Sequence, residues 1–289
     1  MPFKFNRVGL IGKYRDENAG PIIRELGEYL LNHDVDLLLD EETKATASEL
    51  PWPGMSRSEL GSTCDLIIVL GGDGTMLAAA RELYMYAVPL VGVHLGRLGF
   101  LTDIRRPELF IKVEQILRGH YIAEERFLLH TRIYGPDEVI DAGVALNDVV
   151  LHHHNVGRMI EFELSVAESP LSIQRSDGLI VCTPTGSTAY ALSSGGPILS
   201  PDLDAIALVP ICPHTLSSRP IVIGADQEIR IVVRPGPQEN AKLSCDGQVV
   251  HNLRSNDVVE IHRQSQRLTL LHPQDYNYYR LLREKLHWG

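Results

Sequence analysis

The residues of this 289-residue chain best suited to chemistry are Gly71-Gly72-Asp73-Gly74-Thr75. They follow the apolar run Leu66-Ile67-Ile68-Val69-Leu70 and precede Met76-Leu77-Ala78-Ala79-Ala80-Arg81, which reads as strand, glycine turn and helix start. Such a turn gathers backbone N–H groups at the positive end of a helix and so suits a phosphate. Asp73 is the odd member. A carboxylate among phosphate donors repels the ligand unless it holds a metal or takes a proton. The pattern points to phosphoryl transfer with a built-in acid–base group. The same spacing also fits a plain βα turn with Asp73 as the helix N-cap. Gly9-Leu10-Ile11-Gly12-Lys13 is too short for a P-loop and lacks its Ser or Thr, and no G-x-G-x-x-G opens a helix after a strand. Both common nucleotide fingerprints are therefore excluded.

Further candidates lie downstream. Residues 183–196 carry hydroxyls and glycines and no charge, so this surface can approach a ligand closely and hydrogen-bond its polar edges. The alternative is a serine-rich loop followed by a short helix. Asn147-Asp148 interrupts an apolar run, where two polar residues are costly to bury unless they bind something. An Asn and an Asp together can hold the two hydroxyls of a ribose; an exposed bulge is the other reading. Arg175-Ser176-Asp177-Gly178 offers a cation and an anion at a turn. His152-His153-His154 invites a metal, but no further ligand follows at zinc spacing, and a solvated strand end fits better. Ser187 is not in a G-x-S-x-G elbow and has no evident base.

These residues need a scaffold, and its elements are readable. Val8 to Ile11, Val35 to Leu39, Leu66 to Leu70 and Leu90 to Val93 are strand-like. Ile22, Ile23, Leu26, Tyr29 and Leu30 have helical spacing, and Pro107 to Arg118 reads as a helix opened by proline. Strands separated by helices predict an α/β domain over residues 1–120 with a doubly wound parallel sheet. Residues 41–63, polar and containing Pro51-Trp52-Pro53-Gly54, read as a surface excursion. From residue 121 to 272 the runs become β-branched and alternating: Phe127 to Ile133, Val139 to Leu151, Met159 to Val166, Leu179 to Thr183, Ile221 to Ile223, Ile229 to Val233 and Val258 to Ile261. Turn signals separate them, among them Gly135-Pro136-Asp137, Pro235-Gly236-Pro237 and Asp246-Gly247-Gln248. This predicts an all-β, sandwich-like second domain. A helix within 273–289 is expected to pack back on the first.

The net charge of −10 argues against nucleic acid or an anionic membrane as partner. The first residues lack a signal-peptide core, and no apolar run approaches a membrane span. Cys64, Cys182, Cys212 and Cys245 are far apart and read as reduced thiols of a cytoplasmic protein.

Several segments together resemble bacterial NAD kinases of the Gram-negative type. They are Gly71 to Thr75, Leu95-Gly96-Arg97-Leu98-Gly99-Phe100-Leu101-Thr102-Asp103, Asn147-Asp148, Ser176 through Tyr190 with its T-P-T-G-S-T-A-Y run, Pro213-His214-Thr215-Leu216, and Cys245-Asp246-Gly247-Gln248. The resemblance implies transfer of the γ-phosphoryl of ATP to the 2′-hydroxyl of the adenosine ribose of NAD, giving NADP and ADP. It implies Asp73 as general base, Gly74 beside it and Phe100 near the adenine. Asn147 and Asp148 would bind the nicotinamide-side ribose. Thr185, Thr188, Ala189, Tyr190, Ala191, Leu192 and Ser193 would line the NAD site. Arg175 and Asp177 would meet the nicotinamide half from a neighbouring subunit, and Arg158 and Gln248 are further carry-overs. A divalent cation, Mg²⁺, would accompany ATP, with no metal ligands assigned in the chain, and the protein would be a homodimer or homotetramer. Two positions depart from the family pattern: His94 stands where Asn is usual, and Asp148 where Glu is commoner. A lipid or sugar kinase with the same glycine-Asp-Gly turn would need an acyl groove or a sugar-phosphate cation cluster. A non-catalytic NAD(P)-binding sensor would be expected to lack the acid at position 73.

Overall fold

A computed structural model of the chain describes residues 3–13, 19–96, 98–153, 159–215, 217–235 and 241–288. They form two units, 1–125 with 267–289, and 126–266. In the first unit the elements run β1 (Arg7–Gly12), α1 (Ala19–Leu31), β2 (Asp36–Asp40), α2 (Glu41–Thr46), β3 (Gly54–Met55), α3 (Arg57–Thr63), β4 (Leu66–Gly71), α4 (Asp73–Leu83), β5 (Leu90–His94), β6 (Ile104–Arg105) and α5 (Leu109–Leu117). Strand β7 (Tyr121–Tyr134) leads on to β8 (Val139–Ala145), β9 (Asp148–His153), β10 (Ile160–Val166), β11 (Ser169–Ser176), β12 (Gly178–Cys182), the short α6 (Tyr190–Ser193), β13 (Ala205–Ile211), β14 (Ile221–Gly224), β15 (Ile229–Val233), β16 (Ala241–Cys245) and β17 (Val249–Leu253). Strand β18 (Val258–Pro273) and helix α7 (Tyr278–Leu286) follow.

The first unit is built on a parallel sheet in the order β5-β4-β1-β2-β3, with Leu270 of β18 beside Leu90 and β6 beside β5. Strand β4 is buried at every position, as expected for a strand covered on both faces. Chain order reverses about β1: β2 lies on one side of it and β4 on the other. In sheets of this kind the crevice outside the carboxyl ends at the reversal is where ligands bind. Gly12, Gly71 and Asp73 stand at those ends.

Residues 41–63 are not a surface excursion. They form α2, β3 and α3, and Leu50, Trp52 and Leu60 are buried. The expectation failed because only a few apolar residues carry the packing. Gly27 of α1 leaves the space that Trp52 fills; a Cβ there would lie 2.4 Å from the indole. Local caps do the rest: Ser56 and Glu59 make a full capping box at α3, and Asp40 caps α2.

The second unit is antiparallel. One sheet orders β14-β13-β12-β9-β16-β17; the other contains β11-β10-β15-β18, with β7 pairing both β8 and β18. Alternate residues of both, among them Val149, Leu151, Leu179, Val181, Phe162, Leu164, Ile229 and Ile231, meet in one core, the pattern of a sandwich. The opposite face of β9, β12 and β13 is buried too: Val150, Ile180, Cys182, Ala207 and Val209 pack with Ala191 and Leu199. The segment after β12 is therefore a cover on the sheet rather than a free loop.

Candidate active site

In the first unit everything converges on Asp73. The N-cap of α4 is Gly72, and Asp73 occupies the first helical position with no capping bond, which corrects its reading as an N-cap. Its carboxylate turns instead to a loop 27 residues on. Oδ2 accepts from the Phe100 amide at 2.8 Å. Oδ1 accepts from the Leu101 amide at 3.0 Å and from the Thr102 hydroxyl at 3.3 Å. The half-buried acid is thus oriented by three donors from consecutive residues, while among the described residues nothing but Gly72's own chain neighbours comes within 4 Å of where a Cβ of Gly72 would stand. An oriented carboxylate beside open space at the first turn of a helix can take a proton from a hydroxyl brought to it.

Two glycines seat that loop. A Cβ on Gly92 of β5 would meet the Leu101 carbonyl oxygen at 2.2 Å, so only glycine lets the loop lie on the strand. A Cβ on Gly99 would stand 1.9 Å from Asp73 Oδ1. Gly92, Gly99, Leu101 and Thr102 shape the candidate site, and reading for chemistry alone does not single them out. The signal available was the glycine content of the Leu95–Asp103 segment. His94, at the end of β5, is buried, and burial lowers its pKa, with a bond to the Gly96 carbonyl opposing. That bond, Nδ1 to Gly96 O at 3.1 Å, fixes the tautomer with the proton on Nδ1. A cavity of about 420 Å³ lined by Gly12, Lys13, Gly20, Ile23, Thr43 and Glu49 opens beside the carboxyl end of β1.

In the second unit the Asn147-Asp148 pair is a break between β8 and β9 rather than an exposed bulge: Asp148 is buried and Asn147 half-buried. The break is held from two sides. Asp246 and Gly247, both at positive φ, form the tight turn between β16 and β17. The Asp246 carboxylate reaches back to accept from the amides of Leu146 at 3.1 Å, Asn147 at 2.8 Å and Asp148 at 3.2 Å. From the other side the Thr183 hydroxyl donates to the Leu146 carbonyl at 2.6 Å, and the Thr183 amide to that of Asn147 at 2.9 Å. Gly186 lies so close that a Cβ would be 2.1 Å from the Asn147 oxygen. Asp246, which the sequence marks only as a turn residue, is therefore the brace of this site. Burial, and then the neighbouring Asp246 charge, raise the Asp148 pKa to about 7.

Thr185 is buried, Thr188 and Ala189 are half-buried, and Ala191 anchors in the core. Leu192 is half-buried, and Tyr190 and Ser193 are exposed. Gln248 follows the Asp246 turn and is exposed. These residues gather near the Asp148 end of β12, where Asp148 pairs with Cys182. Arg175 and Asp177 do not join them. They precede β12 at its other end, where Gly178 pairs with His152. Five residues of strand, about 16 Å, lie between. Arg158 and His154 lie outside the described residues. Ser187 is buried, its hydroxyl donating to Pro184 O at 2.6 Å and accepting from the Leu199 amide at 3.0 Å, so it is a structural hydroxyl. Burial pushes the Cys64 thiol up to about 11 and the Cys182 thiol to about 12, which denies both a thiolate. Among the described residues no three His, Cys, Asp or Glu are grouped to hold a metal ion, and no helix is long and apolar enough to cross a membrane.

Comparison with known proteins matches both parts of the chain to one family. The model of the ATP-NAD kinase N-terminal domain matches residues 8–121, and that of the ATP-NAD kinase C-terminal domain matches residues 146–272. The NAD kinase of Azotobacter vinelandii is 50% identical over 288 residues, covering 99% of this chain and 97% of that protein. The NAD kinase of Ectopseudomonas mendocina is 47% identical over 289 residues, with the same shares of 99% and 97%. Yeast NADH kinase, solved with NADH, has the same fold at a TM-score of 0.86 and 22% identity, covering 98% of this chain and 88% of its own. An NAD kinase from Archaeoglobus fulgidus, solved with ATP, gives 0.77 at 23% identity, covering 98% of this chain and 100% of its own.

Proposed function

The chain belongs to the ATP-NAD kinase family, and from that membership we infer that it is an NAD kinase in which Asp73 is the general base. The reaction moves the γ-phosphoryl of ATP to the 2′-hydroxyl of the adenosine ribose of NAD. The O–H bond breaks towards Asp73, the hydroxyl oxygen bonds to the γ-phosphorus, and the bond from that phosphorus to ADP breaks. A ribose hydroxyl is a poor nucleophile, and a carboxylate already held in one orientation raises its reactivity as transfer begins. The observation that carries this reading is the Asp73 carboxylate, standing at the carboxyl end of β4 by the reversal of strand order and aimed by the Phe100 and Leu101 amides.

Gly74 continues the opening turn of α4 beside the base, and Phe100 is the aromatic face for adenine. Asn147 and Asp148 bind the nicotinamide-side ribose, a role supported by the bracing of both backbones and by a carboxyl that changes charge near neutral pH. Thr185, Thr188, Ala189, Tyr190, Ala191, Leu192, Ser193 and Gln248 complete the NAD contacts, with Arg158 as a further one. Arg175 and Asp177 serve a neighbouring copy, in line with their distance along β12 from Asp148. Exposed Leu171, Ile173 and Val222 on β11 and β14 support a homo-oligomer, a dimer or tetramer. Mg²⁺ enters with ATP, whose charge it offsets. Cys64, Cys182 and Cys212, which form no disulfide, support a cytoplasmic setting.

Purified protein with ATP, Mg²⁺ and NAD is expected to form NADP, read by an NADP-specific dehydrogenase. No NADP from the wild type would overturn the activity. Asp73→Asn is expected to lower kcat by about 10²–10⁴-fold; full activity in that variant would remove the base and leave the kinase.

A further inference from the structure

The loop that aims Asp73 is itself held at both ends by residues that follow β17 in the chain. At the near end, Lys285 of α7 donates to the Leu98 carbonyl oxygen, and its ammonium lies 5.3 Å from the centre of the Phe100 ring. At the far end, His272 of β18, only 2% exposed, bonds through Nδ1 to Asp103 Oδ2 at 3.0 Å. Glu124 faces the other ring nitrogen at 3.7 Å, and Tyr276 stacks on the imidazole at a centroid distance of 4.0 Å. Arg105, just past the loop, pairs with Glu284, the neighbour of Lys285 on α7, at 2.6 Å. Between these anchors the loop spends its amides of Phe100 and Leu101 on Asp73.

We propose that Lys285 and His272 are positioning residues for the phosphoryl transfer: they fix loop 98–103 in the shape that presents the Asp73 carboxylate. The inference rests on the reading of Asp73 as the base. Neither side chain touches the carboxylate. A sliding loop would carry the Phe100 and Leu101 amides off their acceptor, and an error of about 1 Å in a reacting group costs up to about 10²-fold. Lys285 serves two ends of this arrangement, since the carbonyl it holds and the ring it covers are two residues apart. The titratable and charged groups facing the assembly are His94 and Arg105 by Asp73 and the loop, Asp103, Glu124 and Tyr276 around His272, and Glu284 beside Lys285.

The test is steady-state NADP formation by the full chain for wild type, Lys285→Met, Lys285→Arg, His272→Leu and His272→Asn, with thermal melts alongside. Lys285→Met keeps the stem on a half-buried helix face and is expected to fold. Its kcat is expected to fall about 10-fold or more. Arginine at 285 and asparagine at 272, which keep a donor in place, are expected to recover most of the activity that methionine and leucine lose. Wild-type kcat in Lys285→Met would overturn the proposal. So would a loss that only tracks unfolding in the melts, with no recovery in Lys285→Arg. Asp73→Asn run in parallel separates the two ideas. Inactivity there beside an unaffected Lys285→Met keeps the base and discards the anchors; full activity there discards the base itself.

Discussion

Gly99→Ala tests the aiming of Asp73 without touching its chemistry. The methyl carbon would be placed 1.9 Å from Asp73 Oδ1, 2.6 Å from Asp73 Cγ and 2.5 Å from the Thr102 hydroxyl oxygen. Carbon atoms in proteins essentially never come closer than 3.0 Å to such neighbours, so the carboxylate oxygen is pushed by about 1 Å or more. Oδ1 now accepts from the Leu101 amide at 3.0 Å and its partner Oδ2 from the Phe100 amide at 2.8 Å, and a displacement of that size breaks at least one of these bonds. The carboxylate is the free end of a side chain, so it yields by rotating, and the fold loses on the order of 1 kcal/mol. What is lost instead is the position of the carboxylate proposed as the base. A misplacement of this scale costs about 10²-fold in kcat, or roughly 2.7 kcal/mol of transition-state stabilisation. The assay is NADP formation at saturating ATP and NAD, with a urea melt of the same preparation. A variant that keeps wild-type kcat would refute the reasoning outright. So would one whose loss of activity is matched by a loss of several kcal/mol in stability, since the methyl would then be acting on the fold and not on the carboxylate.

Asp148 makes stability depend on pH. Its carboxyl is raised from 3.8 to about 7, so below pH 4 it is protonated in folded and unfolded chains alike. Between about 4 and 7 the unfolded chain loses the proton and the folded chain keeps it, so this group's contribution to stability falls by up to about 1.4 kcal/mol per pH unit and then levels off. Urea melts at pH 5, 6 and 8 are expected to show that decline in wild type and to lack it in Asp148→Asn. Gly186→Ala is expected to cost about 3 kcal/mol or more, because the new carbon meets the Asn147 backbone 2.1 Å away and a backbone cannot rotate aside. A chemical melt measures that cost, and NAD titration is expected to show weakened binding as Asn147 shifts.

The parts of this protein that were legible in the sequence are those where local pattern and burial agree. Leu66 to Leu70 is apolar throughout because β4 is covered on both faces, and the glycines after it mark the helix entry. Asp73 announced itself as a charge out of place. Its partners did not, because Phe100 and Leu101 act through backbone amides, which every residue carries, across 27 and 28 positions. Asp246 is likewise read as a turn until its bonds to residues about 100 positions away are seen. Strand β11 is not read from the sequence because it is mostly exposed and carries only Leu171 and Ile173 as apolar residues, and β13 because its start, Asp204-Ala205, carries no turn glycine. Residues 41–63 were misread since Trp52 packs into a space that Gly27 makes, and no local pattern reports a vacancy on another helix.

The first unit is discontinuous in the chain, and this sets an order of events during synthesis. Residues 126–266 are all made before β18 reaches Leu270 and before α7 exists. Folding on the ribosome proceeds broadly from the N-terminal side, domain by domain. The sandwich can therefore form its core while the parallel sheet still lacks its neighbour to β5 and loop 98–103 still lacks both anchors. With Asp73, His272 and Lys285 in the proposed roles, the site is complete only after both hydrophobic cores have their residues, and a nascent chain holding Asp73 alone has the acid without the aim.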